Sequence, residues 1–297
     1  MRNAPEWAKM ARMSFPMQGS APTLTTFTAS DGDNLAVQDW PVAEGVRQRG
    51  MLLLVHGLGE HAGRYDGLAQ RLNTWGFAVR GYDQYGHGES GGPRGGLPTS
   101  ARLLDDLADL VQSTRARLGS GQPLIVLGHS LGGLVAAAFA RAHPTQLDGL
   151  VLSSPALATH ATPLQRVLLR TLPHIAPNLR VGNGLDTRWL SHDAAVEAAY
   201  RSDPLVHDRI SSRLARFITT AGADVVADAG HWKVPTLLLY AGDDRLVDAA
   251  GSRAFARAAP TDIVSSHCFE DAFHEIFNEA DAQPMFDALQ RWLDARF

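Results

Sequence analysis

A mostly parallel, doubly wound α/β sheet carrying a helical insertion is the fold class this sequence predicts, and three observations predict it. Short apolar runs of buried-strand length recur at Met51–Val55, Phe77–Tyr82, Leu124–Leu127, Leu150–Ser153 and Thr236–Tyr240. Between them apolar residues repeat at helical spacing, and strands alternating with helices build parallel sheets. The alternation breaks between about Pro155 and Lys233, where helical patterning continues without a clear strand. An insertion that leaves from the C-terminal end of a strand sits where such sheets bind ligands, so this segment is expected to form a lid.

Each element follows from its own residues. Residues 1–22 hold Arg2, Lys9 and Arg12 among Pro5 and Pro16, with no apolar run of signal-peptide length, and are expected to form a loose arm. The core is expected over residues 23–155 and 233–297, and the lid over 156–232. Thr23–Thr28 and Leu35–Trp40 flank Asp31-Gly32-Asp33-Asn34, which reads as a hairpin. Tyr65, Leu68, Ala69, Leu72 and Trp75 mark a helix stopped by Gly76. Leu103, Leu104, Leu107, Leu110, Val111, Thr114 and Leu118 mark a second, stopped by Gly119. Leu131–His143 reads as a helix ended by Pro144. In the lid, Thr162-Pro163 resembles a cap followed by a first-turn proline. Behind it Leu164, Val167, Leu168, Thr171 and Leu172 share one helical face. A strand near Ile263–Phe269 and a helix over Asp281–Phe297 close the chain.

Composition excludes several functions. Apolar residues make up 45% and charged residues 20%, which argues for a folded globular chain and against disorder. The net charge of −4 and the lack of a basic run make nucleic acid a poor partner. Cys268 is the single cysteine, so thiolate zinc sites, iron–sulfur clusters and internal disulfides are excluded. A reducing compartment, the cytoplasm, is expected. No run of eighteen apolar residues occurs, so no membrane span is expected.

Gly128-His129-Ser130-Leu131-Gly132 fits G-x-S-x-G, in which small neighbours let a nucleophilic serine sit on a sharp strand-to-helix turn. Gly88-Glu89-Ser90-Gly91-Gly92 fits the same pattern. Context separates them. A buried strand precedes Ser130 and a strong helix follows it, whereas Ser90 lies among glycines before Pro93. A serine nucleophile needs a base, and the base needs an orienting carboxylate, in the chain order serine, acid, histidine. Asp243, Asp244 and Asp248 follow the strand Thr236–Tyr240, with Asp248 placed to cap the next helix and Asp244 the preferred acid. His267 lies within the last strand and His274 in the loop beyond it, which favours His274 as base. A tetrahedral oxyanion needs fixed donors, expected from the backbone N–H groups of Leu131 and Leu58. A rival reading exists, because Gly57-Leu58-Gly59-Glu60-His61-Ala62 also fits a dinucleotide fingerprint with Asp83 beyond it. Glu60 would then set a negative charge against the pyrophosphate, and the serine, aspartate and histidine would go unused.

Together these residues resemble the α/β-hydrolases of the monoacylglycerol lipase and lysophospholipase type. The resemblance is carried by His56–Tyr65, Asp83–Ser90, Gly128–Gly133, Gly242–Val247 and Phe273–Phe277, and in the insertion by Ala176–Leu179 and Tyr200–Leu205. It implies a Ser130, Asp244, His274 triad and ester hydrolysis through an acyl-enzyme without metal or organic cofactor. It also implies polar residues toward a glycerol head group at Glu60 and Arg64, with Tyr200 on the substrate side of the insertion. A further polar pocket residue of mammalian members would fall near Phe277, where this chain is apolar. The expected partner is a small acyl ester, with Leu168 and Leu172 lining an acyl tunnel or touching lipid in transient membrane contact through the lid. Amides, peptides and thioesters are the alternative substrates of the same triad. A non-catalytic binding module is a further alternative.

Overall fold

The computed structural model describes residues 21–160 and 171–297. Most of the expected N-terminal arm lies outside them, as do Thr162, Pro163, Leu164, Val167 and Leu168 of the expected lid helix. Threonine-rich Thr23–Thr28 (β1) pairs antiparallel with Asn34–Trp40 (β2) across the expected hairpin turn. Gly50–Val55 (β3) is apolar and buried at every position, as a parallel strand covered on both faces must be. Asp66–Thr74 (α1) follows, then Phe77–Tyr82 (β4), Arg102–Arg115 (α2), Leu124–His129 (β5) and Leu131–Ala142 (α3). The helix α3 is apolar all round its first ten residues, and all ten are buried. Gly149–Ser153 (β6) leads into the insertion.

The insertion contains a helical turn over residues 171–175, then Arg180–Gly182 (β7), Ala194–Ser202 (α4) and Arg209–Ser211 (β8). The strands β7 and β8 pair antiparallel into a two-stranded ribbon. The sequence predicts no strand here. Three residues are too few to display a period of two, and most of this ribbon is exposed, so no hydrophobic pattern marks it. Ser212–Ala227 (α5) then packs Leu214, Phe217, Ile218 and Val225 into the same core cluster as α3. The end of the expected lid is thus a crossover helix of the core layer.

Thr236–Ala241 (β9), Ala249–Ala258 (α6), Val264–Phe269 (β10) and Gln283–Arg296 (α7) complete the chain. The large sheet runs β1-β2-β4-β3-β5-β6-β9-β10. Pairing is antiparallel from β1 to β4 and parallel from β4 to β10. Helices α2, α3, α5 and α6 cover one face, through residues such as Leu107, Leu134, Phe217 and Phe255. Helices α1 and α7 cover the other, through Leu72, Leu289 and Trp292. This is the doubly wound arrangement, and its ligand edge lies at the strand C-termini.

The insertion rests on that edge. The His207 N–H donates to Gly59 O at 2.9 Å, and the Ser211 N–H to Gly95 O at 2.8 Å. Both glycines have positive φ, +81° and +67°. A Cβ built at Gly59 would come within 2.4 Å of His207 O, and one at Gly95 within 2.0 Å of Arg209 O. The buried His61 Nε2 meets Asp203 Oδ2 at 2.8 Å, adding a side-chain hydrogen bond between core and insertion. No helix among the described residues is long and apolar enough to cross a membrane.

Candidate active site

Strand β5 ends at His129, and the chain turns into α3 through Ser130 with φ 52° and ψ −117°. A non-glycine residue rarely adopts positive φ, and doing so costs about 1–3 kcal/mol. The turn is held by the Ser130 N–H donating to Ser153 O at 3.0 Å and by Ser130 O accepting from the N–H of Ala156 at 3.0 Å. It closes because a Cβ at Gly128 or Gly132 would strike backbone, Gly132 O at 2.4 Å and Val55 O at 2.1 Å. Glycines on either side of Ser130 are therefore a packing requirement of this turn.

The loop after β9 delivers Asp244. Its Oδ1 accepts the N–H groups of Leu246 at 2.9 Å and Val247 at 3.0 Å, and its Oδ2 lies 2.7 Å from His274 Nδ1. Both side chains are buried, at 1% and 5% exposure. The other acids are engaged elsewhere: Asp243 pairs with Arg245 at 2.7 Å, and Asp248 caps α6 by accepting the Ala250 N–H at 2.9 Å. His267 lies exposed on β10. Ser90 is a brace, accepting the Ala36 N–H at 2.8 Å and donating to Asp83 O. Among the described residues the Ser130 hydroxyl has no hydrogen-bond partner, so no closed link joins it to His274. Such links often tighten only when substrate binds. The His129 ring, adjoining Ser130 in the chain, packs 4.7 Å from the His274 ring.

Burial alone would raise the Asp244 carboxyl, but the His274 charge and hydrogen bond outweigh it and hold it below the usual carboxylate range. Burial alone would lower the His274 imidazole, and Asp244 outweighs that and lifts it above 6.5. Burial, reinforced by His274, drives His129 down to about 4. His129 is thus a neutral ring beside a basic one.

The loop after β3 carries Leu58, half-buried before Gly59, while Leu131 opens α3. No protein partner for either N–H is found among the described residues, which leaves both donors available. Glu60 is buried and Arg64 half-buried. The Tyr200 ring lies over the Arg64 guanidinium at 4.7 Å. Leu172 is half-buried in the turn over 171–175, and Leu168 lies outside the described residues. Asp83 accepts the N–H groups of Ala62 and Glu89, both at 2.8 Å, so its two oxygens serve the backbone rather than a ribose. Among the described residues no group of three or more His, Cys, Asp or Glu is arranged to hold a metal ion. Sequence reasoning did not single out Glu275 or His129, which directly follow the preferred base and directly precede the preferred nucleophile.

Residues 46–281 match the family described as serine aminopeptidase, S33. The chain is 34% identical over 248 residues to a monoacylglycerol lipase of Mycolicibacterium smegmatis, covering 82% of this chain and 88% of that one. It is similar to the crystal structure of a Paleococcus ferrophilus monoacylglycerol lipase, at 33% identity and a TM-score of 0.80, over 89% of this chain and 99% of that one. It is also similar to a soluble variant of the Saccharomyces cerevisiae monoglyceride lipase in complex with a substrate analog. There the identity is 26% and the TM-score 0.86, over 95% and 98% of the two chains. With an elbow serine, a buried aspartate–histidine pair and these relatives, the chain belongs to the serine aminopeptidase S33 family and has the α/β-hydrolase fold.

Proposed function

We propose that this protein is a carboxylic ester hydrolase acting on monoacylglycerols or lysophospholipids through an acyl-enzyme. The observation that carries the reading is the buried Asp244–His274 contact of 2.7 Å, set beside a serine on a strained strand-to-helix turn. Ser130 Oγ attacks the ester carbonyl as His274 Nε2 takes its proton, and Asp244 holds Nδ1–H and steadies the imidazolium. The N–H groups of Leu58 and Leu131 receive the oxyanion. The alcohol leaves with the proton from His274, and water deprotonated by His274 releases the fatty acid. No metal or organic cofactor enters the scheme.

The alcohol side of the substrate is assigned to the end bordered by Glu60, Arg64 and Tyr200, and the acyl side to the insertion, with Leu172. Exposed Ile175, Leu179 and Val181 on the insertion support transient contact with a lipid surface. The unpaired Cys268 fits a cytoplasmic site of action. The family description names an aminopeptidase, so aminoacyl amides are the competing substrates.

The test is fatty-acid release from monoacylglycerols of increasing chain length, beside aminoacyl amides, with Ser130→Ala as the blank. Expected is turnover of the esters that peaks at medium or long chains, with Ser130→Ala lower by about 10³-fold or more. Ester turnover that survives in Ser130→Ala would overturn the assignment, and turnover of the amides alone would move the substrate class.

A further inference from the structure

The acyl-transfer scheme leaves a buried charge network unused. The Arg64 side chain is 10% exposed, and its guanidinium grips Glu275 as a fork, Nη1 to Oε1 at 2.7 Å and Nη2 to Oε2 at 2.9 Å. Nη1 also donates to Glu60 Oε2. The other oxygen of Glu60 accepts the Gly57 N–H and the Tyr65 O–H, both at 2.6 Å. The Asn278 amide donates to Glu275 at 2.8 Å. Two carboxylates on one guanidinium bury a net negative charge, and such clusters are weak sources of stability, because desolvation offsets the attraction. What this one does achieve is geometric. Glu60 belongs to the loop that carries Leu58, and Glu275 directly follows His274. A rigid, planar fork therefore spans the loop of the oxyanion donors and the loop of the base.

Resting on the acyl-transfer reading, we propose that Arg64 and Glu275 are positioning residues, which fix the distance between the oxyanion loop and His274 through Glu60. Glu60 and Arg64 border the alcohol end, but this role needs no hydrogen bond from either to the head group. The hydrogen bonds of both side chains described above go to protein groups, and the fork would act on any ester whatever its alcohol.

The variants Arg64→Lys and Glu275→Gln test this. Active sites are counted by fluorophosphonate labelling of Ser130, so that misfolded protein drops out. Turnover is then measured on a monoacylglycerol and on the p-nitrophenyl ester of the same fatty acid, whose alcohol has no glycerol hydroxyls. Expected is a fall in kcat per labelled site of about 10- to 100-fold, equal on both esters, with little change in KM. A loss confined to the monoacylglycerol and seen in KM would overturn positioning in favour of head-group binding. An unchanged kcat per labelled site with a lowered melting temperature would reduce the fork to a structural brace. A second readout does not depend on turnover. The His274 imidazole faces Asp244, Glu275, Glu60 and His129, and its NMR titration is expected to move down in Glu275→Gln. An imidazole that titrates as in the wild type would also sink the proposal. Failure of the acyl-transfer reading is distinct, since the wild-type protein would then neither label at Ser130 nor turn over either ester.

Discussion

Ser130, Asp244 and His274 come from three separate strand ends, and each is held by its own local device. For Ser130 it is the strained φ with glycines on either side, for Asp244 two backbone N–H groups, and for His274 a short contact to Asp244. The charge balance among them sets a pH dependence. In the proposed scheme His274 must be neutral to take the serine proton, and Asp244 lifts its imidazole above 6.5 while being itself held low. Ester hydrolysis is therefore expected to rise with pH through an inflection above 6.5, followed as kcat/KM on a soluble ester. Asp244→Asn should lower kcat by about 10⁴-fold, as loss of the orienting acid does in triads generally. An inflection below 6.5 would contradict the geometry. At this scale much of the candidate site was legible in the sequence, because strand, turn and chain order narrowed twelve histidines to two and the acids to three, and the aspartate–histidine contact falls within that set. Glu275 was not legible as a partner. Its contact with Arg64 joins residues 211 positions apart, and no local pattern encodes such a pairing.

Among the elements, those with a strong period were readable and those defined by a distant partner were not. The runs that became β3, β5 and β9 are buried at every position, and their apolar sequence declares it. The ribbon of β7 and β8 is made by pairing residues some thirty apart, and neither strand shows a pattern alone. Helix α5 presents the converse case. Helical patterning was visible across its segment, but whether the helix met the core or a detached lid depended on where the chain returned. The structure puts Phe217 at 7% exposure within the core cluster. Phe217→Ala is therefore expected to cost about 3 kcal/mol of global stability. A shifted denaturant midpoint with an unchanged slope would read this out. Loss of lid contacts alone, with the midpoint unmoved, would place the helix outside the core.

Across the whole molecule, histidines tie the insertion to the sheet edge. The rings of His56 and His87 lie 5.3 Å apart, and those of His87 and His207 4.8 Å apart, linking two core loops to the segment before β8. Burial lowers all three, with His207 brought to about 4, and His129 is held as low by burial and His274. An unfolded histidine takes its proton near 6.5, while His207 and His129 resist until about 4 and His56 and His87 are likewise held below 6.5. Their contribution to stability is thus complete above pH 6.5 and is lost as pH falls toward 4. His274 works in the opposite sense, contributing below 6.5 and fading above it. So does Asp106, whose carboxyl burial raises to about 6 and whose contribution fades as pH rises through that value, but four groups outnumber two. Melting temperatures at pH 7.5, 6 and 5 are expected to fall in that order, and a flat series would refute the balance. One further consequence comes from Gly59 and Gly95, on which the insertion sits by direct backbone contact. A single methyl group at either position would act as a shim, lifting the cover off its frame while leaving the cover's own residues untouched. How tightly such a chain shuts is therefore written in the frame, and swapping covers between relatives would transplant the shape of the roof without the height at which it rests.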